Sequence, residues 1–207
     1  MPKKVIIGVF LIISVASFVM IYHVMIYQKI GQYEHHLYIK SEDIYDSLED
    51  GDILYRMGNR VWSLLFRDTS PTERRFSHVG IVRIRNGHVT VISAEALTAG
   101  GDFVKEVSLN DYLWHTISAG LYRVNNIDGA LISDTAIEFL GRPFDWDFDM
   151  EEDEKLYCSE LLYVVLKKID PNIKLNTFWD GKAGKYVIPM DVYLQKEYFT
   201  EIGSWGK

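Results

Sequence analysis

Hydrophobic and polar positions follow three patterns along this chain: an unbroken apolar run, strict alternation, and a stripe repeating about every 3.6 residues. From Val5 to Tyr27 only Gly8, Ser14, Ser17 and His23 interrupt the apolar run, and no residue is formally charged. A helix crossing the hydrocarbon core needs ~20 such residues, whereas the apolar part of a secretory leader spans ~7–15. Small residues at Ser14, Val15 and Ala16 support a competing reading, a leader cleaved after residue 16 that releases a secreted protein. The run continues through Phe18, Val19, Met20, Ile21 and Tyr22, however, so residues 1–27 are expected to be an uncleaved transmembrane anchor. Lys3 and Lys4 precede it, which puts the N-terminus in the cytoplasm and the remainder outside; Lys29 weighs mildly against this. Residues 28–40 read as a polar stalk, and residues 41–207 as one folded domain.

Within that domain, Ser41 followed by Glu42 and Asp43 reads as the N-cap of a short helix ending near Asp50 and Gly51. Asp52 to Tyr55 is strand-like, and Val61, Trp62, Leu64 and Leu65 give a helical stripe before a polar loop from Asp68 to Arg74. The best-specified element is a hairpin of Ser77 to Arg85 and His88 to Glu95 around Asn86-Gly87, a dipeptide suited to a two-residue type I′ turn. That turn sets Arg85 opposite His88, Val82 opposite Val91, Gly80 opposite Ser93 and His78 opposite Glu95. The Cβ atoms of the last pair would then lie roughly 4.5–5.5 Å apart, provided that no bulge shifts the register.

Strands from Phe103 to Val107 and Ala119 to Val124 follow, with a short helix from Ser108 to Trp114 between them. A helix from Ile127 to Leu140 stops at Gly141-Arg142-Pro143. Cys158, Leu161, Leu162, Val165 and Ile169 recur at i, i+3, i+4, i+7 and i+11, so a helix from Tyr157 to Ile169 packs this stripe inward. Later, Pro189 to Leu194 reads as helical and Tyr198 to Ile202 as extended. The sum is an α+β domain around a single core.

Composition sharpens this picture in three places. The 13 Tyr, 10 Phe and 5 Trp supply large side chains for that core, which matters because the lone cysteine excludes an internal disulfide. Its position, far from the N-terminus, also excludes a lipidated anchor cysteine. Without residues 1–40 the chain keeps 18 basic and 28 acidic residues, a net charge of −10, which excludes the basic footprint of a nucleic-acid partner. The acids Asp145, Asp147 and Asp149 resemble the start of an EF-hand loop, but Met150 stands where glycine is required and Leu156 where a bidentate glutamate is required. They read as a solvated loop, with an acidic rim for amine-bearing substrates as the alternative. His23, His35, His36, His88 and His115 show no zinc-ligand spacing with the cysteine, and no cofactor is called for.

Cys158 is the chemically distinctive residue, because it falls in the first turn of a helix. Unpaired N–H groups and the macrodipole there favour a thiolate and can hold an oxyanion. A cysteine on an apolar stripe is ordinarily a small buried hydrophobe. What changes the reading is its coincidence with His78, a candidate base, and Glu95, a candidate orienting group on the facing strand. Tyr157 is a candidate oxyanion donor, with packing against the entering loop as the alternative. Glu160 reads as dipole compensation or a cap partner, and Ser77 and Ser159 as structural.

Gly51-Asp52-Ile53-Leu54, Ser77-His78-Val79-Gly80-Ile81-Val82, the strand-end Glu95 and Tyr157-Cys158-Ser159-Glu160-Leu161 together resemble the circularly permuted branch of the NlpC-type papain-like cysteine hydrolases, the YiiX/YebB-like proteins. The likeness covers most of residues 50–168, and the order His, acid, Cys is that of the permuted branch. It implies Cys158 as nucleophile, His78 as base, Glu95 as orienting residue, and an amide or related acyl bond as substrate. With an outward-facing domain, the leading expectation is an amidase acting on cell-wall peptides or a similar peptide or γ-glutamyl link. A lipid acyl hydrolase or acyltransferase on the same scaffold is the first alternative, and a non-catalytic membrane-tethered binding module the second.

Overall fold

Alternating strands need both faces covered when both carry apolar residues, and this chain supplies a cover for each. The computed structural model describes residues 38–68, 70–98, 100–150, 152–181 and 184–206. The anchor expected over 1–27 and nearly all of the stalk lie outside them. Among the described residues no helix is long and apolar enough to cross a membrane.

In chain order the elements are α1 (Ser41–Ile44), continued by a 3-10 turn over Tyr45–Ser47, then β1 (Ile53–Gly58) and α2 (Val61–Arg67). Next come β2 (His78–Arg85), β3 (His88–Glu95), β4 (Phe103–Ser108), α3 (Leu109–Tyr112) and β5 (Thr116–Val124). They are followed by α4 (Gly129–Ala136) with a 3-10 extension over Ile137–Phe139, and α5 (Cys158–Ile169). The chain ends in β6 (Phe178–Asp180), β7 (Lys185–Val187), a 3-10 helix over Met190–Leu194, and β8 (Phe199–Gly206).

Six strands form one antiparallel sheet in the order β4-β3-β2-β1-β5-β8, and β6 and β7 pair separately. The first helix differs from expectation at its start: Lys40, not Ser41, is the N-cap residue, and its N–H donates to the Asp43 carboxylate at 2.8 Å. The β6–β7 hairpin was not anticipated. Its strands have only three residues each, too short to show a period.

The expected single core is instead two, one on each face of the sheet. Ile53, Tyr55, Val79, Ile81, Ile92 and Ala94 pack against Leu161, Leu162 and Val165 of α5 and Ile132 and Ala136 of α4. The intervening residues Leu54, Val82, Val91 and Leu121 pack on the other face with Ile44, Leu48, Leu109 and Tyr112. Successive side chains of a strand point to opposite faces, so a strand apolar at nearly every position serves two layers.

The Gly51-Asp52 pair anchors β1. Gly51, at φ +80°, runs so close to Gly129 that a Cβ on either would overlap the other's segment. The buried Asp52 carboxylate accepts two hydrogen bonds from Arg123 of β5, at 2.8 and 3.0 Å.

Candidate active site

The Asn86-Gly87 turn sets the register that the sequence predicts, from Arg85 opposite His88 to Ile81 opposite Ile92, with Asn86 at φ 53° and Gly87 at φ 78°. His78 and Glu95 lie beyond the end of that ladder, yet their side chains meet: His78 Nε2 and Glu95 Oε1 are 3.0 Å apart. Cys158, buried at the first position of α5, lines the same cavity of about 500 Å³ as His78 and Glu95. The cysteine is also close enough to raise the pKa of the imidazole. Because Nε2 faces Glu95, Nδ1 is the ring nitrogen left for the thiol.

Burial is the largest influence on the His78 charge and pulls its pKa down. The Glu95 carboxylate opposes it, the Arg56 guanidinium pulls it down again, and Cys158 raises it; the net result is about 9. Burial likewise pushes the Glu95 carboxyl up, but His78, Arg56 and Ser93 more than offset it and hold the group well below the usual carboxylate range. At neutral pH the pair is therefore imidazolium and carboxylate.

Three further residues complete this arrangement. Ser93 donates to Glu95 Oε1 at 2.6 Å, and Arg56 reaches Glu95 Oε2 at 3.5 Å. Tyr112, its hydroxyl donating to the Leu54 carbonyl at 2.8 Å, lies beneath both cations, with the His78 ring centroid at 5.6 Å and the Arg56 guanidinium carbon at 4.8 Å. Ser93 was readable in principle, being two residues before Glu95 on the same strand face. Arg56 was not: it stands beside His78 only through the β1–β2 register, and no tight turn sets that.

Gly80 lies on the face of β2 that Tyr112 of α3 covers. A Cβ there would lie 2.4 Å from Val91 and 3.1 Å from the Tyr112 ring, so its missing side chain makes room for Tyr112 and not for α5. Helix α5 packs on the opposite face, over Val79 and Ile81.

Tyr157 is the N-cap residue of α5, and its hydroxyl accepts the Ile188 N–H at 2.7 Å while its ring packs on Phe148. The phenol is thus tied to the chain leading from β7. The Glu160 carboxyl accepts the Tyr157 N–H at 3.4 Å, a cap contact. Burial, together with Asp145, Asp149 and Asp153, raises its pKa to about 8, so at neutral pH it is mostly protonated and supplies little dipole compensation. Ser159 donates to the Ile188 carbonyl and Ser77 to that of Arg56, both structural contacts. In the acidic loop, Asp145 is buried and accepts the N–H groups of Asp147 and Asp149, so it organises the loop and does not coordinate outwards.

A second, smaller pocket of about 70 Å³ opens beside Cys158, walled by Phe66, Phe144, Phe148, Ile188 and Met190. Phe66, Phe144 and Cys158 belong to both cavities.

The family described as the permuted papain-like amidase enzymes, YaeF/YiiX, C92 family, matches residues 47–179. The chain belongs to this family. Among curated proteins it is 28% identical over 124 residues to the uncharacterized protein YiiX of Escherichia coli strain K12, a match covering 56% of each chain. The chain thus spans little more than half the length of that relative. Among solved structures it resembles one titled as the metalloprotein yiiX from Escherichia coli O157:H7, with a TM-score of 0.64 and 18% identity over 78% of this chain and 99% of that one. That likeness supports the fold. Among the described residues no group of three or more His, Cys, Asp or Glu side chains is arranged to hold a metal ion.

Proposed function

We propose that the protein is a thiol-dependent amidase that works through an acyl-enzyme on Cys158, with His78 and Glu95 completing the catalytic group. The observation that carries this reading is the 3.0 Å His78–Glu95 contact in the wall of the cavity that Cys158 also lines. Membership of a papain-like amidase family supports the same chemistry.

In the first half-reaction the Cys158 thiolate attacks the amide carbon. The carbonyl oxygen gains the charge, held by unpaired N–H groups of the first turn of α5. The C–N bond breaks as His78 Nδ1 passes its proton to the departing amine, leaving a thioester. Water then attacks the thioester, His78 takes a proton from it, and the acid leaves with Cys158 restored. Glu95 keeps the ring oriented and stabilises its charged form.

The leading substrate is an amide in a cell-wall peptide or a similar peptide or γ-glutamyl link. The apolar pocket beside Cys158 favours a second reading, a fatty acyl group on the carbonyl side, which would make the enzyme a lipid acyl hydrolase or acyltransferase. Incubating the full chain separately with cell-wall fragments and with phospholipid vesicles tests both. Peptide release that disappears in Cys158→Ala supports the first, and fatty acid release that disappears supports the second. Neither product above the level of Cys158→Ala defeats the hydrolase reading for these substrates.

A further inference from the structure

The large cavity does not end at the catalytic group. Its lining also includes Asn59, Arg60, Trp62, Leu97 and Trp114, and because Arg60, Trp62, Leu97 and Trp114 are exposed, this part of the wall is its mouth. The Arg60 guanidinium lies over the Trp114 indole, 5.3 Å from its centroid, and among the described residues no carboxylate pairs with it.

The two acids lining this cavity are already engaged. Glu95 is held by His78, Ser93 and Arg56, while Asp111 accepts the Ser108 hydroxyl at 2.7 Å in the cap of α3. In a domain with a large excess of acids, an arginine that keeps its charge uncommitted at the mouth of a reactive cleft is a local exception. A guanidinium stacked on an aromatic ring is held in place with its N–H edge free, the geometry that accepts a carboxylate in two parallel hydrogen bonds.

We infer that Arg60, positioned by Trp114, is a specificity-determining residue that binds a carboxylate on the amide substrate. The substrate class becomes an amide with a free carboxylate at the end lying towards the cleft mouth, such as a peptide C-terminus or an N-acyl amino acid. This deepens the amidase reading and rests on it for the identity of the cleft.

The test separates binding from turnover. Two probes, N-octanoyl-glycyl-alanine with a free carboxylate and the same compound as its carboxamide, are titrated by calorimetry against the full chain carrying Cys158→Ala. The carboxylate is expected to bind roughly ten- to hundredfold more tightly, the range of one charge-assisted contact. Adding Arg60→Gln should bring the ratio close to one, Arg60→Lys should restore part of it, and Trp114→Leu should leave an intermediate value. Equal affinity for the two probes, no binding of either, or a preference that survives Arg60→Gln in a folded variant overturns the inference. With the wild-type cysteine, a carboxylate preference in binding without cleavage of either probe would count against the amidase reading while leaving the carboxylate site standing.

Discussion

At the scale of single residues, the proposed mechanism gives Cys158, His78 and Glu95 separable duties that kinetics can resolve. Cys158→Ala should abolish turnover, because no other residue in the site offers a sulfur nucleophile. His78→Ala should lower kcat by about 10²–10⁴-fold or more, the usual range for loss of an acid-base group, and Glu95→Gln should cost a similar or smaller factor. Initial rates on whichever substrate the incubations with cell-wall fragments and phospholipid vesicles identify, at fixed enzyme concentration, check all three. Since His78 is raised to about 9, kcat/KM should fall on an alkaline limb near that pH, and Glu95→Gln should move the limb towards acid.

The same pair shapes stability. Its histidine part is complete below about pH 6.5 and fades as pH climbs through 9, whereas its glutamate part is present above about pH 4.5 and fades on acidification. Thermal unfolding of wild type and Glu95→Gln across pH should therefore differ most between those limits, by on the order of 2 kcal/mol. A difference that is flat from pH 5 to 9 would contradict the ion pair.

At the scale of elements, the site depends on how closely strands approach what covers them. Gly80 of β2 has no room for a methyl group beside Val91 and Tyr112. Gly80→Ala should destabilise the protein by about 1–3 kcal/mol, as overpacking does, and also reduce kcat because Tyr112 supports both His78 and Arg56. Urea unfolding combined with kinetics separates the two effects. Arg123 holds the buried Asp52 across β1 and β5, and burial already raises the Asp52 pKa despite that partner. With a partly exposed Arg123, its replacement by alanine should cost about 2 kcal/mol, and the cost should grow with pH as Asp52 is left ionised and without that partner.

At the scale of the whole molecule, β8 is the last strand in sequence and completes the sheet by pairing with β5. Phe199 belongs to the same core as the apolar stripe of α5, and Trp205 packs against the core on the other face, so one strand contributes to both layers. Truncation after Glu197 should expose the edge of β5 and abolish the cooperative thermal transition, with aggregation in its place. For the N-terminal run we propose a single-pass anchor with the domain outside; carbonate extraction of membranes should retain the full chain and release a variant that begins at residue 39.

The sequence by itself determined the local features: the hairpin and its register through Asn86-Gly87, the inward stripe of α5 with Cys158 at its head, and the acid and base at the open end of one hairpin. These follow from periods and turn chemistry that act over a few residues. Only the tertiary structure decided that the sheet is covered on both faces, that Gly80 yields to Tyr112, and that Arg56 stands beside Glu95. Those contacts join segments whose relative placement depends on packing between strands without a tight turn, and no period in the chain encodes that. Glu160 shows the same division: its cap position was readable, but its protonation is set by burial and by the acidic loop that folds against it.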